Sequence, residues 1–90
     1  MDFEWADNEA QSNHRKHGIT FQEAATVFGD PIALTSPDPD HSDDENRFIT
    51  FGYSHQNRLL AAVHTERENT TRLLSARLAT RAEKRLYEQT

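Results

Sequence analysis

The chain has 90 residues, with fifteen acidic side chains against ten lysine and arginine side chains and no cysteine. This length fits one domain with a small core, which we expect to span residues 1–90. The lack of cysteine excludes a disulfide framework and cysteine-ligated zinc. Because no apolar stretch is long enough to span a membrane and the first residues do not resemble a signal peptide, we expect a cytoplasmic protein without membrane contact.

The charge is divided unequally between the two halves of the chain. Residues 1–46 carry eleven acidic side chains against Arg15 and Lys16, a net charge of −9, whereas residues 47–90 carry a net charge of +4. If the chain binds phosphate, the binding surface should come mainly from the second half, and the acidic half suits a basic partner. An ordinary solvated surface explains the same composition equally well.

The first half of the chain predicts two helices. The first covers residues 7–17, with Asp7 as its N-cap and Gly18 directly after its last turn. The second begins at Thr20, and Glu23 stands three residues later, which is the spacing of a capping box. Apolar residues then recur at helical spacing for two turns, until a Gly-Asp-Pro sequence ends the helix.

The rest of the chain predicts mainly strands. Segments rich in β-branched and aromatic residues lie at residues 32–36, 47–54, 58–65 and 72–77, and residues 3–5 form a short strand or an apolar plug. Residues 37–44 predict a polar loop, and a last helix begins at Thr80 with a capping-box Glu83. The expected fold is α+β, with an antiparallel sheet, both N-terminal helices on one side and the C-terminal helix near an edge. The other sheet face is then open to a ligand.

One reaction that the charged second half could support is metal-free RNA cleavage. This reaction needs a base for the 2′-hydroxyl proton, an acid for the leaving oxygen and cations around the phosphate. Arginine suits the last role because its planar fork binds phosphate oxygens in pairs. The second half supplies Arg47, Arg58, Arg67, Arg72, Arg77, Arg81 and Arg85. Strand alternation predicts that His64, Ser75 and Arg77 share the less buried face. The candidate proton carriers His64, Glu83 and Tyr87 also have structural explanations, as a core histidine, a capping residue and a packing anchor.

His14 and His17 stand three residues apart on the first helix, a spacing that can chelate a metal. No third ligand stands at a matching local spacing, and histidines in the last turn of a helix are favoured by the helix dipole. We therefore expect no metal site and no cofactor.

The order of the short motifs resembles one family. Lys16-His17-Gly18-Ile19-Thr20-Phe21, Val27-Phe28-Gly29-Asp30-Pro31, His64-Thr65-Glu66-Arg67 and Arg72-Leu73-Leu74-Ser75-Ala76-Arg77 occur in this order. Each piece is unspecific, but together they cover essentially the whole chain and are similar to the BrnT toxins. The resemblance implies a RelE-like ribonuclease fold, messenger-RNA cleavage that arrests growth, and a ribbon-helix-helix antitoxin of the BrnA type. It also implies that DNA is contacted only through the antitoxin complex, which we expect to be a heterotetramer.

The resemblance places the active-site region at Arg67, at Arg77 and in residues 83–87. We expect Arg67 and Arg77 to stabilise the transition state, His64 or Tyr87 to carry a proton, and Glu83 to orient the site or act as a base. The expected RNA-binding residues are Lys16, His17, Arg47, Arg58, Arg72 and Arg81. The alternative is a protein-binding module without catalytic activity, which the net charge of −5 favours.

Overall fold

The computed structural model describes residues 2–41 and 46–89, with three helices and five strands in these ranges. The strands are β1 (Asp2–Glu4), β2 (Leu34–Pro37), β3 (Arg47–Tyr53), β4 (Leu59–Arg67) and β5 (Thr70–Leu78), and the helices are α1 (Asp7–His17), α2 (Phe21–Ala25) and α3 (Arg81–Glu88). Short 3-10 turns follow α2 at Thr26–Gly29 and β2 at Pro39–His41. Residues 42–44 of the predicted polar loop lie outside the described residues. No helix in the described ranges is long and apolar enough to cross a membrane.

All five strands belong to one mixed sheet in the order β1-β5-β4-β3-β2. Strands β2 to β5 pair antiparallel, as the alternating segments predict. β1, however, pairs parallel with the start of β5, with Asp2 beside Thr70 and Glu4 beside Arg72. The prediction of an antiparallel sheet is therefore wrong at this edge, because a three-residue strand carries no sequence signal for the direction of its partner.

The first two helices cover one face of the sheet. Side chains of α1, α2 and the connecting segments meet the inward-facing residues of β4 and β5. The buried cluster consists of Ile19, Phe21, Ala24, Val27, Leu60, Ala62, Leu73 and Ala76. Burial of each large apolar side chain contributes about 1.5–3 kcal/mol. This cluster is therefore the main source of the free energy of folding.

A side chain of α1 forms hydrogen bonds with the backbone edge of β5, past the residues of β5 that pair with β1. The buried Asn13 donates to the carbonyl oxygens of Ile19 at 3.0 Å and Ala76 at 2.9 Å, and it accepts from the Ala76 backbone N–H at 2.9 Å. The amide thus pairs with both backbone groups of one residue, as a neighbouring strand would. These bonds fix α1 against the sheet.

α3 lies on the opposite face of the sheet. Its Tyr87 packs on Tyr53 of β3, and its Glu83 binds Arg77 of β5. The same face carries a second apolar cluster, formed by Ile49, Ala61 and Val63 with Phe51 and Leu74. The C-terminal helix therefore bridges the end of β5 and the end of β3 on this face, whereas the sequence predicted it near an edge.

The helix ends follow the predicted signals only in part. Gly18 follows α1 in the left-handed conformation, as predicted. Asp7 is not the N-cap, because Ala6 holds that position without a side-chain bond. Asp7 lies in the first turn, where its negative charge interacts favourably with the helix dipole. Thr20 accepts from the Glu23 backbone N–H, but the Glu23 carboxylate turns away to other partners.

Candidate active site

The hairpin of β4 and β5 contains a bulge that determines which residues of the two strands share a face of the sheet. The register shifts between Val63 and His64, so that His64 lies opposite Leu73 on the face covered by the first two helices. Arg77 lies opposite Ala61 on the other face. The prediction that His64 and Arg77 share a face is wrong, because one extra residue in β5 reverses the alternation between positions 73 and 76.

His64 stands in the middle of a buried chain of hydrogen bonds. Its Nε2 lies 2.7 Å from Oγ1 of Thr50, which lies 2.7 Å from Oγ1 of Thr35. Its Nδ1 lies 2.6 Å from Oε2 of Glu66, and the Thr71 hydroxyl donates to Oε1 of Glu66 at 2.9 Å. The chain of bonds therefore joins β2, β3, β4 and β5 through one imidazole.

The partners of His64 determine its protonation. Burial lowers the pKa of His64, although the hydrogen bond and the charge of Glu66 oppose this effect. The neutral ring carries one N–H, and a carboxylate can only accept, so the hydrogen is on Nδ1 and Nε2 accepts from Thr50. Since His64 is only 2% exposed, the ring itself cannot touch a substrate.

Glu66 brings this chain of bonds to the surface. Its side chain is 39% exposed and lies with His64 and Thr71 on the face that the first two helices cover. The residue also borders a cleft of about 600 Å³ at the end of the hairpin, where the Arg67 and Arg72 side chains lie on the other face of the sheet. Arg67, Arg72 and Glu4 line the same cleft. Sequence reasoning missed Glu66 because it ended the predicted strand at residue 65. The strand period of two was the available signal, since residues 64 and 66 share a face when the strand continues.

The two arginines of the cleft differ in how they are held. Arg72 donates to Oε2 of Glu4 at 3.0 Å, and its other terminal nitrogen lies 3.9 Å from Oε1 of Glu9. Arg67 is exposed and forms no ion pair with any residue of the described ranges. Its planar fork is therefore available to an anion such as a phosphate.

Arg77 lies far from this cleft. Both of its terminal nitrogens donate to the Glu83 carboxylate, at 2.7 and 2.9 Å, and this pairing lowers the pKa of Glu83. Glu83 also completes the predicted capping box with Thr80. Arg67 lies opposite Thr70, so seven residues of strand, about 20 Å, separate the two arginines. Arg67 and Arg77 cannot hold the same phosphate.

Tyr87 serves as an anchor for α3. Its hydroxyl donates to Oδ2 of Asp30 at 2.6 Å, and the same oxygen accepts from the Tyr53 backbone N–H at 2.8 Å. Burial, together with the Asp30 carboxylate, raises the pKa of Tyr87 to about 12. These contacts agree with the structural explanation of this residue.

Two further predicted RNA-binding arginines are bound by carboxylates of the first half. Nε of Arg47 donates to Oδ2 of Asp38 at 3.0 Å. Arg58 binds the buried Glu23 carboxylate through two nitrogens, which lowers the pKa of Glu23 and raises that of Arg58. Both arginines are therefore engaged in holding the fold together.

The remaining predicted RNA-binding residues are exposed. Lys16 and His17 lie at the end of α1 and line a second cleft of about 310 Å³ against β5. Arg81 lies on the first turn of α3. Among the described residues, no three histidine, aspartate or glutamate side chains are grouped so as to hold a metal ion.

The fold is similar to that of a ribonuclease toxin of known structure. The 1.1 Å crystal structure of the ribonuclease toxin BrnT from Brucella abortus matches with a TM-score of 0.71 and 19% sequence identity, over 90% of this chain and 99% of that chain. At this identity the match establishes the fold. A search of curated proteins finds no match.

The sequence identifies the family. A sequence model of BrnT, the ribonuclease toxin of type II toxin–antitoxin systems, matches residues 5–83. This chain therefore belongs to the BrnT family, as the order of its motifs indicates. A toxin of a type II system has an antitoxin as its partner.

Proposed function

We propose that this chain is a cytoplasmic endoribonuclease that cleaves messenger RNA without a metal ion and so arrests growth. The cleft at the end of the β4–β5 hairpin carries the proposal, because it brings the available fork of Arg67 beside Arg72 and the Glu4 carboxylate. A phosphate that gains charge in the transition state needs such preorganised cations. Arginines, rather than a metal, supply that charge here.

The other predicted residues have supporting roles. His64 acts from behind the cleft, and Arg77 with Glu83 lies further along the path of the RNA. The exposed cations that extend the RNA-binding surface are Lys16, His17 and Arg81. A strand that passes over several of them gains affinity from each phosphate contact, and this affinity falls as salt rises.

The partner of the chain, we propose, is a ribbon-helix-helix antitoxin of the BrnA type. Two copies of each protein would form a heterotetramer that touches DNA only through the antitoxin. An acidic segment of the antitoxin beside Arg67 competes with RNA for the same guanidinium group. The toxin is then inhibited directly at its cleft.

A protein-binding module without ribonuclease activity is the second candidate. The observation that favours it is the engagement of Arg47, Arg58 and Arg77 by carboxylates, which leaves few cations for RNA in a chain of net charge −5. Such a chain would bind the antitoxin and leave RNA intact.

Cleavage of RNA by the purified protein separates the two candidates. We expect cleavage that persists in EDTA and that falls about 100-fold in Arg67→Ala, because one preorganised contact to the transition state is lost. Arg15→Ala is the matched control, since Arg15 is exposed on α1 and forms no ion pair with a described residue. Loss of cleavage in EDTA, restored by one divalent metal, would refute the metal-free reaction. Absence of cleavage under all conditions favours the binding module.

A further inference from the structure

We infer that the hydroxyl groups of Thr65 and Thr70 hold the RNA phosphate between Arg67 and Arg72, so that four side chains, and not two, bind it. The inference rests on the proposed ribonuclease function, because it names further phosphate donors at the same cleft. Its basis is the strand register at the end of the β4–β5 hairpin, together with two threonine hydroxyls that have no partner among the described residues.

The register places the four residues at the corners of a rectangle. Thr65 lies opposite Arg72, and Arg67 lies opposite Thr70. Residues 65 and 67 are two apart on β4, and residues 70 and 72 are two apart on β5, so all four side chains project from one face of the sheet. Opposite residues stand about 5 Å apart, and residues two apart on one strand stand about 7 Å apart. One phosphate group above this rectangle is therefore within reach of every corner.

This face is the one that the first two helices leave uncovered. Glu66 and Thr71 alternate with the corner residues and direct their side chains to the covered face. All four corner residues line the cleft of about 600 Å³. Arg67 is exposed and the other three are half-buried. A ligand in the cleft therefore meets the rectangle directly.

The threonines of the two faces differ in their hydrogen bonds. On the covered face, the hydroxyls of Thr35, Thr50 and Thr71 all have partners within the protein. At the cleft, the hydroxyls of Thr65 and Thr70 form no hydrogen bond with a residue of the described ranges. Each can donate to a phosphate oxygen, and a bond to a charged acceptor is stronger than a bond between neutral groups.

The arginines supply the charge, and the threonines fix the position of the phosphate. Arg72 is held by its bond to Glu4, whereas Arg67 forms no ion pair with a described residue. A phosphodiester has two non-bridging oxygens. Because each arginine has one threonine on its own strand and one across from it, each oxygen can accept from one guanidinium and one hydroxyl. Donors on paired strands are oriented before RNA binds, which is the condition for transition-state stabilisation.

The acidic neighbours of the rectangle favour a ligand with a single negative charge. Glu4 and Glu68 line the same cleft, and they repel a second charge on the ligand. A phosphodiester within an RNA chain carries one charge, whereas a terminal phosphate carries up to two. The cleft therefore suits an internal position of the chain. Adding a 5′-phosphate to an oligonucleotide should not raise its affinity, and a clear rise would contradict this preference.

The first experiment measures the binding of a 2′-deoxy oligonucleotide, which contains phosphodiesters but no 2′-hydroxyl for cleavage. Thr65→Val keeps the branched shape and removes the hydroxyl, so we expect the dissociation constant to rise about tenfold, because a hydrogen bond to a charged acceptor is lost. Thr70→Val should act in the same direction. Thr65→Ser keeps the hydroxyl and is the matched control, which should bind nearly as the wild type does. Circular dichroism checks that each variant is folded.

The second experiment tests whether Thr65 and Arg67 hold the same phosphate. In Arg67→Ala the phosphate has lost its main cation and is no longer held close to the hydroxyl. Thr65→Val should therefore cost less affinity in Arg67→Ala than in the wild type, so that the two losses are less than additive. Additive losses would show that the two residues act independently. The same variants should lose RNA cleavage, measured as kcat/KM, in parallel with affinity.

The outcomes separate the inference from the proposed function. If the wild type cleaves RNA and Arg67→Ala does not, while both valine variants bind and cleave as the wild type does, then the cleft is the site but the hydroxyls do not hold the phosphate. If the wild type binds the oligonucleotide through the Thr65 hydroxyl but does not cleave RNA, the ribonuclease proposal fails and the phosphate site stands. Equal loss of affinity in Thr65→Val and Thr65→Ser, or no binding by the wild type, overturns the inference.

Discussion

At the scale of single residues, this small protein depends on buried polar side chains whose hydrogen bonds join separate elements. Asn13 joins α1 to β5, and the buried Glu23 accepts from Ser54 and Arg58 to join α2 to the end of β3 and the start of β4. A buried polar group costs free energy unless it is paired. These pairings therefore specify the packing of the layers as well as stabilise it.

Asn13→Ala should destabilise the fold strongly. The change removes three hydrogen bonds and leaves the buried N–H and C=O of Ala76 without their partner. An unsatisfied buried backbone group costs about 1–3 kcal/mol, so we expect the free energy of unfolding to fall by about 3 kcal/mol. Urea denaturation followed by circular dichroism measures it.

Asn8→Ala is the control for this variant. Asn8 lies on the same helix but is exposed, so its removal should change the free energy of unfolding by less than about 0.5 kcal/mol. Equal stability of the two variants would contradict the role of Asn13 as a substitute for a neighbouring strand.

At the scale of elements, the sequence predicts the segments better than their arrangement. Gly18 marks the end of α1, the capping box of Thr80 and Glu83 marks the start of α3, and β-branched and aromatic residues locate β3 and β4, because these signals act within a few residues. The parallel pairing of β1 and the bulge at His64 depend on contacts between distant parts of the chain. Neither leaves a local pattern, and therefore both were missed.

The same distinction applies to the candidate site. The family motif that contains His64 and Arg67 lies in the hairpin that borders the candidate site, and it also contains Glu66. Which of these side chains faces the cleft depends on the length of β4, which extends to Arg67 and so puts Arg67 on the opposite face from His64 and Glu66. Sequence reasoning could thus find the segment of the site but could not assign its faces.

Close packing of β3 against the 3-10 turn gives a prediction at this scale. A Cβ at Gly52 would lie 3.0 Å from the Val27 carbonyl oxygen and 3.2 Å from Cβ of Ala33. We expect Gly52→Ala to cost about 1–3 kcal/mol, because the turn must move away from the sheet. Gly29→Ala is the matched control, since its Cβ would meet no atom within 4 Å and its φ is not positive. Thermal denaturation of both variants measures the difference, and equal loss of stability would contradict the close approach.

At the scale of the whole molecule, several basic side chains of the second half form ion pairs with acidic side chains of the first half. Arg47, Arg58 and Arg72 of the second half pair with Asp38, Glu23 and Glu4 of the first half. The net charge of each half is therefore a poor guide to the surface that a partner meets. What matters is which cations have no ion pair with a described residue, and Arg67 is one of them at the cleft.

This arrangement predicts how the antitoxin acts. If an acidic segment of the antitoxin occupies the cleft, charge reversal in Arg67→Glu should weaken antitoxin binding as well as RNA cleavage, because the new carboxylate repels both anions. We expect the dissociation constant to rise about tenfold or more, which corresponds to about 1.4 kcal/mol. Arg15→Glu makes the same change of charge at an exposed site of α1 and should leave both properties nearly unaltered.

Calorimetric titration of each variant with antitoxin, at one fixed salt concentration, measures the effect, since salt weakens RNA binding and antitoxin binding alike. A 2′-deoxy oligonucleotide, which cannot be cleaved by attack of a 2′-hydroxyl, should compete with the antitoxin for the wild type. Unaltered antitoxin affinity in Arg67→Glu, together with failure of the oligonucleotide to compete, would show that the antitoxin docks away from the cleft. Inhibition would then have to act through the fold, because a partner bound elsewhere leaves Arg67 open to RNA.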